Sequence, residues 1–294
     1  FDAGANKTWN ILEYSKEYPY GQELPSDAAL ETGYETGNFN MTGNIMLYHM
    51  DESSGTIVDY SGENNDGTQN GGVTYSQSGS IGTAIKFDGS DDYLNVPFGN
   101  NTNASDLTHT FSMWVKSTNP TSDEIFFSSG QSPDVDARIY VGYYNSNWDM
   151  GIYTSGWGTG NLSTNDEWNH IVLIMDGSVA SLYINSVLYQ EKSYSSFTLN
   201  EDFDLGRHPS SPGSYEFTGY MDEVAIWNRT LSEDEILDLY KRGAVKLNIS
   251  VRVCNDSSCD GEEWNLTCTD PDTCSLGTLR DRYVQYKANF YTLN

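Results

Sequence analysis

Positive charge is scarce: 15 Lys and Arg face 42 Asp and Glu, a net charge of −27. Such a surface repels phosphate backbones and anionic lipid, which argues against nucleic-acid and direct membrane partners. Divalent cations are the natural counter-ions of dense carboxylates. Long apolar runs are also missing, and none approaches the ~18 residues of a membrane span. The four histidines, His49, His109, His170 and His208, are scattered. There is no His-Glu-x-x-His, no Gly-x-Ser-x-Gly and no phosphate-binding glycine loop, so zinc-protease, hydrolase-elbow and nucleotide chemistries lack their parts. The chain begins at Phe1 with neither an initiator Met nor a signal peptide, and it reads as a mature or excised piece of a longer precursor.

Cysteine is limited to Cys254, Cys259, Cys268 and Cys274, all within the last fifty residues. Their spacing matches no Cys-x-x-Cys metal pair, and no histidine lies near them, so two disulfides are expected rather than zinc. Of the three connectivities open to four cysteines, local pairing is preferred: Cys254 with Cys259 and Cys268 with Cys274. Asn-x-Ser/Thr sequons stand at Asn6, Asn40, Asn100, Asn103, Asn161, Asn228, Asn248, Asn255 and Asn265, denser than composition alone produces. Both features point to an extracellular or cell-surface location.

Asn, Ser, Thr, Gly and 21 Tyr supply the polarity, with charged residues at 19%. That mixture suits short strands joined by turns. Apolar or alternating segments recur at roughly ten-residue spacing from residue 44 to residue 227, the pattern of a sandwich or barrel. Asp176-Gly177 and Asn185-Ser186 separate three such segments as hairpin turns. One helix is expected: Ser232 and Glu235 form a capping box, acidic residues fill the first turn, Lys241 and Arg242 the last, and Gly243 stops it. The first ~40 and last ~50 residues each carry strands but are too short to stand alone. The expected organisation is therefore a jelly roll over 43–243, inserted in a smaller, discontinuous, disulfide-bearing β-sandwich made of 1–42 and 244–294.

Eight stretches carry a resemblance in order: Leu47–Glu52 with Ser54-Gly55-Thr56; Asp59–Gly67; Lys86–Leu94; Phe111–Val115; Glu167–Val172; Leu182–Asn185; Gly219–Trp227; and Arg229-Thr230-Leu231-Ser232 through Glu235-Ile236 to Leu239-Tyr240. Together they resemble the laminin-G-like domains of the concanavalin A-like lectin/glucanase superfamily. The flanks Phe1-Asp2-Ala3-Gly4 and Arg282-Tyr283-Val284-Gln285-Tyr286 resemble a sandwich repeat of archaeal and bacterial surface proteins. The first resemblance implies an all-β jelly roll of two antiparallel sheets, often with structural calcium, and no single activity.

For calcium, Asp222 in its strand and Asp51, Asp59 and Asp66 around a loop rich in Asn, Gly and Ser are candidate ligands, with Asp91 and Asp92 as alternatives. As ordinary turn-formers, Asp88, Asp91 and Asp92 need no ion. For sugar stacking, Tyr144, Trp148, Tyr153 and Trp157 form an aromatic-rich stretch, with Trp157 between two glycines the one expected to be exposed. Catalysis is not expected: the glucanase pattern of acids alternating on one strand is absent, and Asp222 and Glu223, being adjacent, are expected on opposite faces. The leading expectation is a non-catalytic structural or adhesion module that self-associates, or contacts other surface proteins, through strand edges. The alternative is a calcium-stabilised carbohydrate-binding module of a larger secreted protein.

Overall fold

The computed structural model describes all residues except 1, 14, 98–107, 120–122, 130–138, 145–146, 153–165, 195–201, 209–212, 214, 270–272 and 293–294. In chain order the strands are β1 (Asp2–Glu13), β2 (Asn44–Tyr48), β3 (Thr68–Asn70), β4 (Thr74–Ser78), β5 (Thr83–Asp88) and β6 (Tyr93–Val96). Then come β7 (Thr108–Ser117), β8 (Glu124–Ser129), β9 (Ile139–Tyr144), β10 (Asn147–Ile152), β11 (Asn169–Asp176) and β12 (Val179–Ile184). After β13 (Val187–Ser193), β14 (Phe203–Leu205) and β15 (Thr218–Trp227) the helix α1 (Glu233–Ala244) intervenes, before β16 (Val245–Cys254), β17 (Leu266–Thr269) and β18 (Thr273–Thr292).

The chain forms two compact units. One comprises Glu23–Glu31 and Phe39–Tyr240, the other Phe1–Gln22, Thr32–Asn38 and Lys241–Asn294. The larger is a two-sheet jelly roll. Its eight-stranded sheet runs β13-β12-β11-β7-β15-β5-β4 with β2 on β15, and its six-stranded sheet runs β10-β9-β8-β14-β6-β3. Alternation puts Phe111, Met113, Leu173 and Ile171 of the first against Leu94, Phe127, Val141 and Phe203 of the second, in one fully buried core. The other face of the eight-stranded sheet carries a second core, in which Leu47, Val172, Ala225 and Trp227 meet Leu231, Ile236 and Leu239 of the helical segment. Leu24, Phe39 and Met41 join that core, and this is why part of the N-terminal stretch belongs to the jelly roll.

The smaller unit is the four-stranded sheet β1-β18-β16-β17. The 20-residue β18 pairs with β1 over 273–283 and with β16 over 283–292. Its early residues Cys274 and Leu276 share a buried core with Leu247, Ile249 and Val251 of β16. Both disulfides form, Cys254–Cys259 and Cys268–Cys274, and the second ties β17 to the start of β18. The fold is all-β with one short helix.

Candidate functional site

Two constellations on the jelly roll stand out. The first is a transverse row on the six-stranded sheet. Gly151, Tyr140, Ser128, Asp204, Asn95 and Thr68 stand directly opposite one another on β10, β9, β8, β14, β6 and β3. Their chain neighbours Ile139, Val141, Phe127, Phe203, Leu205, Leu94 and Val96 all belong to the core, so the row faces away from it. At ~4.8 Å per strand, Tyr140 to Asn95 spans ~14 Å.

Charge and hydrogen bonds hold the row in place. The ring of Tyr140 lies over Gly151, where an added Cβ would come within 1.7 Å of it. Its hydroxyl donates to Asp149 Oδ2 at 3.0 Å, and Lys192 Nζ donates to Asp149 Oδ1 at 3.4 Å. Further along, Asp204 accepts from Asn95 Nδ2 at 3.0 Å and Arg207 Nε at 2.7 Å. The Arg207 guanidinium sits 3.2 Å from the centre of the Tyr93 ring. Asp149, Asp204 and Ser128 are buried and act as supports, so the half-buried Tyr140 ring and Asn95 amide are what the row offers a polyhydroxylated ligand for stacking and hydrogen bonding.

The second constellation gathers Glu23, His49 and Glu223, whose ligating atoms lie within 4.8 Å of one another. The β2–β15 register pairs Leu47 with Ala225 and Tyr48 with Val224, so the next residues, His49 and Glu223, face each other. His49 Nδ1 is 2.9 Å from Glu223 Oε1 and 3.8 Å from Glu23 Oε2. Asp51 hydrogen-bonds Glu23. Burial, then the bond to Asp51, push the Glu23 carboxyl up to about 8. Burial and the neighbouring Glu223 raise Asp222 well above the carboxylate range. Burial pulls His49 down, but Glu223 and Glu23 outweigh it and leave it raised. This His–carboxylate cluster is capable of holding a divalent cation.

The structure distributes the sequence-derived candidates unevenly. Asp222 and Asp51 lie within electrostatic reach of each other beside this cluster. Asp59 instead accepts from the Leu47, Ser61 and Asn65 amides and the Ser61 hydroxyl, and Asp66 accepts from the Asp59 amide. They staple a loop, and a calcium ion would have to displace those donors. Asp91 and Asp92 group with Asp88 as three carboxylates in one turn, with Asp92 accepting from the Asp88 amide and Asp88 from the Ser90 amide.

Among the aromatics, Trp148 is 1% exposed and packs on Phe126 and Tyr143 in the core, where it cannot stack on a ligand. Tyr153 and Trp157 lie outside the described residues, as do the sequons Asn100, Asn103 and Asn161, and nothing is described of the Tyr144 side chain. Asn6, Asn40, Asn228, Asn255 and Asn265 are exposed; Asn248 is half-buried.

Sequence reasoning missed Tyr140, Asp204 and Arg207, while Asp149 was among the expected hydroxyl partners of the aromatic stretch. The alternation of Ile139, Val141 and Tyr143 against Tyr140 and Gly142 was the available signal for Tyr140. It also missed Glu23 and His49, for which no local pattern exists. The expectation that Asp222 and Glu223 take opposite faces is corrected: a bulge between Asp222 and Ala225 with Glu223 at φ 48° breaks the alternation, and both side chains are buried.

The family model described as the concanavalin A-like lectin/glucanases superfamily matches residues 88–237. The chain belongs to this superfamily. Its jelly roll has the two-sheet, lectin-type β-sandwich fold. The fold is similar to domain 4 of an extracellular arabinanase from Geobacillus stearothermophilus, at 22% identity and TM-score 0.55, covering 67% of this chain and 98% of that one. It is also similar to the binding domain of botulinum neurotoxin serotype D, at 16% identity and TM-score 0.56, covering 68% of this chain and 50% of that one. Trypanosoma rangeli sialidase matches at 15% identity and TM-score 0.55, over 67% of this chain and 32% of that one. No curated protein sequence matches the chain.

Proposed function

We propose that the chain is a carbohydrate-binding module of a larger secreted or surface protein, with its saccharide lying along the Tyr140–Asp204–Asn95 row. The observation that carries this reading is the row itself: the half-buried Tyr140 ring set over Gly151 and, three strands away, the half-buried Asn95, with buried Ser128 and Asp204 between them. Support comes from the arabinanase domain of similar fold, which was solved with arabinotriose. Two disulfides and exposed sequons support an extracytoplasmic setting. Calcium, expected from the family, finds oxygen-only company at the Asp88–Asp91–Asp92 turn, three of the six to eight oxygens it takes. A glycan array probed with the whole chain tests the proposal. Binding to a defined glycan class, lost in Tyr140→Ala, supports it; an array without hits overturns it.

A second reading is self-association. Over 285–292, β18 pairs with β16 on one edge, and among the described residues no strand pairs with its other edge. Tyr286, Phe290 and Tyr291 are exposed there. An open edge with apolar side chains invites a strand from a second copy. Concentration-dependent oligomers in gel filtration, abolished by a proline at Ala288, support this reading; a monomer at all concentrations opposes it.

A further inference from the structure

We propose that Glu23, His49 and Glu223 form a binding site for a first-row transition dication such as zinc, distinct from any oxygen-only calcium site. Tetrahedral zinc with ligand bonds of about 2.0–2.1 Å sets its donor atoms about 3.3 Å apart. The observed separations of His49 Nδ1 from Glu223 Oε1 and Glu23 Oε2, 2.9 and 3.8 Å, bracket that value. Small side-chain adjustments close the set, with a fourth position left for water or Asp51.

Two features of the surroundings suit a cation at these three donors, which already lie within 4.8 Å of one another. The carboxyls of Glu23 and Asp51 are hydrogen-bonded to each other, an arrangement that needs a proton or a metal ion between like charges. Beside Glu223, the Asp222 side chain is wholly buried; its Oδ2 accepts from the Ile81 amide at 2.9 Å, while its Oδ1 has no hydrogen-bond partner. It interacts electrostatically with Glu223 and Asp51, at the margin of the cluster. A buried carboxyl with one oxygen unsatisfied is costly, and a dication next to it offsets that cost.

The imidazole sets the selectivity. Calcium and magnesium are held by oxygen, whereas nitrogen beside carboxylate suits zinc, cobalt and nickel. The site is also a clasp. Glu23 comes from the segment before the jelly-roll strands, His49 follows β2 and Glu223 lies in β15, so a bound ion ties three distant stretches together and stabilises only the folded chain.

The test is calorimetric titration of the EDTA-treated whole chain with zinc chloride and with calcium chloride, alongside cobalt(II) absorption spectra. One zinc per chain is expected at this site, with cobalt giving the intense visible bands of tetrahedral coordination. Glu23→Gln, a partly exposed position that should fold normally, and His49→Gln should each weaken zinc by about tenfold or more. Asp91→Asn should leave zinc binding unchanged. Zinc affinity equal to wild type in Glu23→Gln overturns the proposal, as does calcium competing zinc from the site at equal concentration.

Discussion

The aromatic ring of Tyr140 rests on Gly151, the residue directly opposite it on the neighbouring strand, and its hydroxyl reaches Asp149 two residues before that glycine. Any side chain at 151 pushes the ring off the sheet. Gly151→Ala should therefore tilt Tyr140, break its bond to Asp149 and abolish saccharide binding, while costing only about 1 kcal/mol of stability. Chemical denaturation and glycan binding measured on the same preparation check this; an alanine variant that binds as wild type would contradict it.

Two buried groups give opposed pH dependences. Burial pushes the Glu124 carboxyl up to about 7, against hydrogen bonds from Ser117 Oγ and the Thr218 amide. Burial pushes His170 down to about 3, where its Nε2 pairs with Ser112 Oγ at 2.9 Å. The folded chain holds the Glu124 proton more tightly than the unfolded one, so that contribution is full at acid pH and is lost as pH rises towards 7. For His170 the folded chain resists protonation, so its contribution is full above about 6.5 and is lost as pH falls towards 3. Glu124→Gln should remove only the first slope. Urea melts should show it more stable than wild type by about 2 kcal/mol at pH 8 and nearly equal at pH 4.5. Parallel stability curves would contradict the assignment.

The Cys268–Cys274 disulfide closes a six-residue step between β17 and β18, and both sulfurs pack in the small unit's core. Replacing both cysteines with serine should cost about 2 kcal/mol. Hydrogen exchange should quicken in β16 to β18 and stay unchanged in the eight-stranded sheet. Equal loss of protection in both places would contradict the division into two units.

The sequons are not equivalent. Asn248 lies mid-strand in β16, flanked by Thr269 and Asn289 on the adjacent strands, and its Oδ1 is buried without a hydrogen-bond partner. A glycan there has no room within the folded sheet. Glycopeptide mass spectrometry of chain made in a glycosylating host should find Asn248 unmodified where the exposed Asn40, Asn228 and Asn255 carry sugar. Full occupancy at Asn248 would contradict the placement of β16.

Local chemistry made much of the fold legible. The capping box predicted from Ser232 and Glu235 forms with reciprocal bonds, Ser232 N to Glu235 Oε2 at 2.8 Å and Glu235 N to Ser232 Oγ at 3.3 Å. The Asp176-Gly177 turn is held by Asp176 Oδ1, which accepts from the Ser178 and Val179 amides. Asn185-Ser186 turns with both residues at positive φ, 51° and 64°, as a tight hairpin demands. Each of these signals lies within four residues. The Tyr140 row was not legible because it joins six strands whose register is set by the whole sandwich. Glu223 was misread because a bulge overrides the two-residue period, and nothing within reach of Asp222 in sequence announces one. Trp148 was misread for a related reason: in a hairpin, which face looks inward depends on the partner strand, and Tyr143 opposite it is a core residue.

The most direct test of the saccharide row is the affinity of wild type, Tyr140→Ala and Trp157→Ala for the highest-scoring glycan of the array. Loss of stacking should weaken Tyr140→Ala by about 1.4 kcal/mol, roughly tenfold in Kd, while Trp157→Ala binds as wild type. Unchanged affinity in Tyr140→Ala, with loss in Trp157→Ala, would contradict the row and move the site to the stretch of sequence around Trp157.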